Sequence, residues 1–412
     1  MPQITSVRGR LVYNSRGSKT IEVDVISDKK HLGRACAPSG ASVGKYEAQS
    51  FADNKPEKSL QVLNKNIKRF VGLESDDLKS IQREIRKIDK TSNYSGIGGS
   101  VAYALTIASV DSAAKALGEP MFKVISQTKK WRFPFPLGNI LGGGAHAGPG
   151  TPDIQEILVC SVGAKTPRES IERNLAVHKE LGKVLQKDNP RFTNGRGDEG
   201  GWAPELDNER ALEISAQAIE NLGYTLGKEV ALGVDFASTT QWDGEKKKYV
   251  YDRAGFENTP EEQIDFAAGI IDKYKLVYAE DAVHEEAFSD MAVLTKRFPK
   301  TMITADDLTV TNAKILRKAI SKKACNAAIL KVNQAGSLYD ALEFAQVASK
   351  NKIRLITSHR SGESTDHQIT HIGIATGSKM LKVGVVGGER VAKLNELIRL
   401  SEHSLIHGMA EV

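Results

Sequence analysis

From residue 156 onward the chain repeats one pattern, a short apolar run followed by a helix-length stretch whose apolar residues recur every three to four positions. The runs are EILVC (156–160), EVALGVDF (229–236), KLVYAED (275–281), MITADD (302–307), NAAILKVNQ (326–334), IRLITSHRS (353–361) and KMLKVG (379–384). Pieces such as TNAKILRKAISKK and SLYDALEFAQVASKN lie between them and have helical periodicity. Repeated strand–helix units argue for a parallel α/β structure, and residues 131–412 are enough for a (β/α)8 barrel of roughly 250 residues, with a doubly wound sheet as the alternative.

The first 130 residues read differently. ITSVRGRLVYN and TIEVDVISD alternate with period two, placing Ile21, Val23 and Val25 on one strand face. Three amphipathic segments follow: KSLQVLNKNIKRFVGL, DDLKSIQREIRKID and GSVAYALTIASVDSAAKALG. Strands and then helices predict an α+β capping domain over 1–130. The Pro-aromatic segment WRFPFPL marks the start of the barrel domain, 131–412.

The charges mark a site. Asp235 closes ALGVD, Glu280 closes VYAE, Asp306 closes MITAD, Lys331 closes AAILK, His359 and Arg360 follow RLITS, and Lys382 follows KML. Capping or ion pairing explains any one of these but explains six successive tips badly, and in a parallel barrel such tips converge on the C-terminal face. Asp235, Glu280 and Asp306 would form an all-oxygen site suited to Mg2+, since three bare carboxylates repel one another. Beside such an ion, Lys331 or Lys382 would lose stability as an ammonium and act as a neutral base. Arg360 and Ser361 open SGESTDHQITHIGIATG, whose helical N-terminus and guanidinium suit a phosphate. In RGDEGGWAPEL, Glu199 stands among glycines where the backbone can approach a ligand, and GGGAHAGPG is a flexible loop carrying His146. HQITH (His367, His371) has Gln368 where a zinc protease needs Glu, so it reads as a helix surface.

Composition narrows the partners. Of 412 residues, 40% are apolar and 26% charged, enough for a sizeable core and unlike collagenous, coiled-coil or disordered chains. Fifty-seven basic and 51 acidic residues leave a net charge of +6 that is spread along the chain, which gives no footprint for nucleic acid. The densest run, in DGEKKKY, is a solvated hairpin tip. Cys36, Cys160 and Cys325 are odd in number and far apart, so neither a disulfide framework nor a thiolate zinc site is expected. With no signal core and no membrane span, a cytoplasmic chain is expected.

SHRSGEST with LKVNQAGS before it and LKVG after it, joined by GDEGGWAP, ADDLTVTNAK, PSGASVGKYEA and NSRGSKTIEVDV, resembles the enolases over nearly the whole chain. The resemblance implies an α+β cap and a barrel whose start is irregular, with an antiparallel strand and an extra helix. It also implies reversible Mg2+-dependent dehydration of 2-phosphoglycerate to phosphoenolpyruvate in glycolysis and gluconeogenesis, by a homodimer or larger homo-oligomer. Lys331 would take the C2 proton and Glu199 would assist loss of the C3 hydroxyl. Asp235, Glu280 and Asp306 would hold one Mg2+, and Ser42 of a mobile cap loop a second that arrives with substrate. Arg360 and Ser361 would bind phosphate and Lys382 the carboxylate side, while His146, Gln155, Glu156 and His359 complete the pocket. Ala145, Val43, Ala282 and Ala52-Asp53 depart from the family's usual residues, and the span from His146 to Glu156 is one residue longer. A sugar-acid dehydratase or racemase of the same superfamily is disfavoured by the phosphate set Ser42, Arg360 and Ser361. A non-catalytic paralogue is disfavoured by the presence of Lys331 and Glu199.

Overall fold

Strands β1 (Ile4–Tyr13), β2 (Lys19–Ser27) and β3 (His31–Cys36) form an antiparallel meander in the computed structural model, which describes residues 1–41, 44–126 and 130–412. Ile21, Val23 and Val25 are fully buried, as their period-two spacing predicts. Helices α1 (Pro56–Asn66), α2 (Leu78–Ile88) and α3 (Gly99–Leu117) follow, then a single turn, α4 (Met121–Val124). A Cβ at Gly33 would lie 2.0 Å from the Ala108 carbonyl oxygen, so glycine is what lets α3 rest directly on β3. The sequence reads α3 as amphipathic, yet Val101, Tyr103, Leu105, Ile107 and Val110 are all buried, along with the alanines and serines between them. The helix lies between the meander and the barrel's helical layer, so two apolar neighbours replace one.

Strand β4 (Trp131–Phe133) pairs in parallel with the last strand, β16 (Ile406–Met409). Between them come β5 (Phe135–Gly142), β6 (Glu156–Cys160), α5 (Pro167–Asp188), α6 (Asn208–Asn221) and β7 (Ala231–Asp235). A small antiparallel sheet of β8 (Trp242–Asp243), β9 (Lys248–Tyr251) and β10 (Phe256–Asn258) interrupts the series. Regular alternation then runs through α7 (Pro260–Tyr274), β11 (Tyr278–Glu280), α8 (Phe288–Arg297), β12 (Met302–Ala305), α9 (Ala313–Ser321) and β13 (Ala327–Leu330). It ends with α10 (Val332–Ala335), α11 (Leu338–Lys350), β14 (Arg354–Ser358), α12 (Gln368–Thr376), β15 (Met380–Lys382) and α13 (Gly388–Leu400).

The sheet closes into an eight-stranded barrel in the order β5-β6-β7-β11-β12-β13-β14-β15, which decides against the doubly wound alternative. β6 runs antiparallel to both neighbours, and two helices instead of one separate it from β7. Periodicity alone predicts regular units here, because an apolar run reads the same in either direction. The irregular start is the one implied by the resemblance. One continuous apolar core joins the cap's meander and helices to the barrel, and α2, α3 and α4 rest on α10, α11 and α12, so the cap is packed onto the side of β13 and β14. Among the described residues no helix is long and apolar enough to cross a membrane, and the three cysteines are buried and unpaired.

Candidate active site

Glu156, Asp235 and Glu280 sit side by side in register on β6, β7 and β11. The reversal of β6 explains this, since Glu156 opens its strand while the other two close theirs, and all three reach one face. Asp306 and Lys331 follow the last residues of β12 and β13, and Lys382 ends β15 in register with Ser358 of β14. The six charged tips therefore converge as predicted.

Lys382 Nζ lies at the centre of the acids, 2.8 Å from Asp235 Oδ2, 2.5 Å from Glu280 Oε2 and 3.1 Å from Glu156 Oε2. Burial favours the free amine, but the three carboxylates outweigh it and raise its pKa well above the ordinary value. Glu280 is fully buried, and burial, Asp235 and Asp306 push its carboxyl well up. Its Oε2 accepts from Lys382 and from the Tyr278 hydroxyl at 2.5 Å, whereas Oε1 is buried with no partner. An oxygen-only donor set with an orphaned carboxylate oxygen suits a hard divalent cation. Asp281 lies in the same acidic cluster, but both its oxygens accept backbone N–H groups, from Asp306 at 3.0 Å and Asp307 at 2.8 Å, and so hold the β12 tip in place.

Lys331 pairs with Asp306, whose other oxygen accepts from Gln334 at 2.9 Å. The expected neutral lysine is not what the protein groups alone produce. Burial, Arg360 and Lys382 favour the free amine, but Asp306 and Glu280 outweigh them and raise the Lys331 pKa. The expectation rested on a cation taking those carboxylates.

Glu199 reaches the barrel mouth from the 196–206 loop. Its glycines do not clear space for a ligand. A Cβ on Gly200, at φ +85°, would lie 2.4 Å from the Val386 carbonyl, so they let the loop pack against the barrel. His359 Nε2 is 3.0 Å from Glu199, and His359 Nδ1 accepts from Arg390 Nη1 at 2.9 Å, which leaves the imidazole proton on Nε2 facing the carboxylate. Burial lowers the His359 pKa to about 4. His146 is buried at the side chain instead of lying on a free loop. It is 3.0 Å from Glu156 and 3.8 Å from Glu199. Gln155 Nε2 donates to Asp235 at 3.4 Å.

Arg360 is buried and engaged by the cap. Its Nη1 donates to Glu47 Oε2 at 3.0 Å and to Asn333 at 3.1 Å. Ser361 is buried beside it, 3.5 Å from Arg16 of the NSRG turn. The predicted helical N-terminus is absent at these residues. α12 begins at Gln368, because Gly362 is tied in a bridge to Ser39 and the Arg360 N–H donates to Glu363. Ser42 and Val43 lie outside the described residues. HQITH is remote from this site, and His371 is buried rather than on a helix surface, because α4 packs its Phe122 ring over the imidazole.

Sequence reasoning missed Glu47, Arg16 and above all Arg390. The Arg390 side chain is fully buried and also donates to the carbonyls of Arg360 (2.6 Å), Ser361 (2.7 Å) and Asp198 (2.9 Å). Its only local signal is one more cation in a helix; Glu47 stands in a quoted motif with no partner in sight.

Comparison with known proteins identifies the family. Residues 4–125 match the family described as "Enolase, N-terminal domain", and residues 130–408 match "Enolase, C-terminal TIM barrel domain". The chain is 43% identical to the enolase of Methanosphaera stadtmanae and 41% identical to that of Methanothermobacter thermautotrophicus, in each case over 99% of both chains. It is 41% identical to the enolase of Archaeoglobus fulgidus over 97% of both. Closed barrel, charged strand tips and full-length likeness together place the chain in the enolase family, as an enzyme of the hydro-lyase class.

Proposed function

We propose that this protein catalyses the reversible dehydration of 2-phosphoglycerate to phosphoenolpyruvate with two Mg2+ ions, the second arriving with substrate and held in part by Ser42. The observation that carries the reading is the placement of Lys331 and Glu156. Their strands, β13 and β6, are four positions apart in an eight-strand ring, so a base and a carboxyl pair face each other across the mouth. Removing a proton at C2 on one side and a hydroxyl at C3 on the other needs that separation.

Lys331 Nζ takes the C2 proton. Asp235, Glu280 and Asp306 would hold one divalent cation, and with the second it would supply the positive charge that stabilises the resulting dianion. Glu199 protonates the departing C3 hydroxyl. Glu156 beside it carries a pKa raised to about 7, first by burial and then by Glu199, and so holds a proton near neutral pH. Arg360 and Ser361 bind the phosphate once Glu47 yields the guanidinium, Lys382 faces the carboxylate side, and His146, Gln155 and His359 complete the walls. A cytoplasmic homodimer or larger homo-oligomer, with residues 1–130 as cap and 131–412 as barrel, completes the reading, and the buried free thiols agree with a reducing compartment.

Mixing the protein with 2-phosphoglycerate should give the ultraviolet absorbance of the enol product in Mg2+ and none after chelation. No product in Mg2+ would overturn the reading.

A further inference from the structure

We propose that His367, His371 and Glu396 form a separate metal site, outside the barrel mouth, for a Zn2+-class dication. His367 is the N-cap of α12 and His371 stands four residues on, so one helical turn brings both imidazoles to the same face. Glu396 of α13 meets them there. Its Oε1 is 3.1 Å from His371 Nε2, its Oε2 is 3.9 Å from His367 Nε2, and one ligand atom from each residue lies within 4.8 Å of the others. Two imidazoles and a carboxylate are a ligand set for zinc and its neighbours, with a further position left for water, whereas Mg2+ prefers oxygen alone.

Glu396 and His367 favour their ligating forms. Burial opposes ionisation of Glu396, but the His371 hydrogen bond, His367 and Arg399 outweigh it and bring its pKa to about 2. Burial lowers the His367 pKa and favours the neutral ring. The charged neighbour to be displaced is Arg399, whose guanidinium donates to Glu396 Oε2 at 2.6 and 2.7 Å; its side chain is 59% exposed and can swing away, while Oε1 carries no cation. His371 Nδ1 is buried with no partner, so the protein alone does not satisfy the cluster. A groove whose lining includes Lys115, Glu119, Arg399, Glu402 and His403 reaches His371 and Glu396 and gives a dication access from solvent.

The site would pin the first turn of α12 to α13. The segment ahead of α12 carries Arg360 and Ser361, and α13 carries the Arg390 that holds their carbonyls. Metal here would stiffen that side of the mouth without touching substrate.

Calorimetric titration of Zn2+ into the full chain, with Mg2+ saturating, tests this beside His367→Ala and His371→Gln. The oxygen site is common to all three proteins, so differences report the histidines. Wild type should take up one more Zn2+ per chain than either variant, or bind it more than about 100-fold tighter, beyond the 10–100-fold that loss of a supporting partner costs. Zn2+ should also raise the thermal midpoint of wild type alone. Equal uptake and equal midpoint shifts in wild type and His367→Ala would overturn the proposal, as would no Zn2+ uptake by wild type. His367 has a 41% exposed side chain, so its variant decides the matter even if His371→Gln fails to fold.

Discussion

Glu156 and Glu199 approach one imidazole, that of His146, at 3.0 and 3.8 Å, yet their ionisation is driven apart. Burial and the Glu199 charge push Glu156 up to about 7. Burial acts on Glu199 in the same sense, but His359, His146 and Arg390 outweigh it and hold that carboxyl well below the ordinary range. The free protein thus keeps the proton of the pair on Glu156, and Glu199 must acquire one before it acts as an acid. Glu199→Gln is expected to slow water loss by about 10²–10⁴-fold, with a smaller effect on exchange of the C2 hydrogen. Product formation and deuterium uptake at C2, measured together, check this; equal losses in both would assign Glu199 to pocket shape only.

Lys331→Ala should abolish C2 exchange while leaving the fold intact. Asp306 keeps its bond from Gln334 in the variant, so one buried acceptor remains satisfied. Circular dichroism and the thermal midpoint report the fold. Deuterium uptake at the wild-type rate would remove Lys331 from the base role.

Mg2+ should raise the thermal midpoint in the absence of substrate, because a cation would give Glu280 Oε1 the partner it lacks. Chelation should remove activity and added Mg2+ restore it. Glu280→Gln should lose most of the midpoint shift. Full activity in excess chelator would rule the metal out.

Arg390 acts on the site through others. Arg390→Lys cannot span His359 and the carbonyls of Asp198, Arg360 and Ser361 together, and leaving two of these buried acceptors unpaired costs about 3 kcal/mol. Urea unfolding should show that loss. In turnover KM should rise more than kcat falls, since Arg360 and Ser361 are displaced but the base is not. Unchanged KM would leave Arg390 a purely structural residue.

His178 predicts the acid limb of stability. Burial lowers its pKa to about 4, with Nε2 on the Gly200 carbonyl at 2.9 Å and the ring stacked on Trp202. The unfolded chain binds a proton near 6.5 that the folded chain refuses until about 4. Stability from this group is therefore complete above 6.5 and lost as pH falls to 4, by at most about 3 kcal/mol. His178→Gln keeps a donor for Gly200 and removes the titration, so its urea midpoint should fall less than wild type between pH 7 and 4.5. Parallel losses would show that other groups carry the acid limb.

The six charged tips were legible because a strand's end is a local property: the apolar run stops where the strand leaves the barrel, and the next residue is at the mouth. Glu156 was legible only through the family resemblance, because nothing in EILVC itself says which way its strand runs. α3 was misread because burial on two sides depends on a second layer that its own residues do not name.

By itself, then, the sequence determined which residues reach the barrel's C-terminal face, their charge, and a family likeness specific enough to name the chemistry. Only the tertiary structure decided who pairs with whom. Glu47 takes Arg360, Lys382 takes three carboxylates, and Arg390 gathers four groups from two loops. Glu156 and Glu199 are one side-chain type with one intrinsic pKa, and a proton is assigned between them by burial and by the cations within a few ångströms. Those distances exist only after residues far apart in the chain have been folded together.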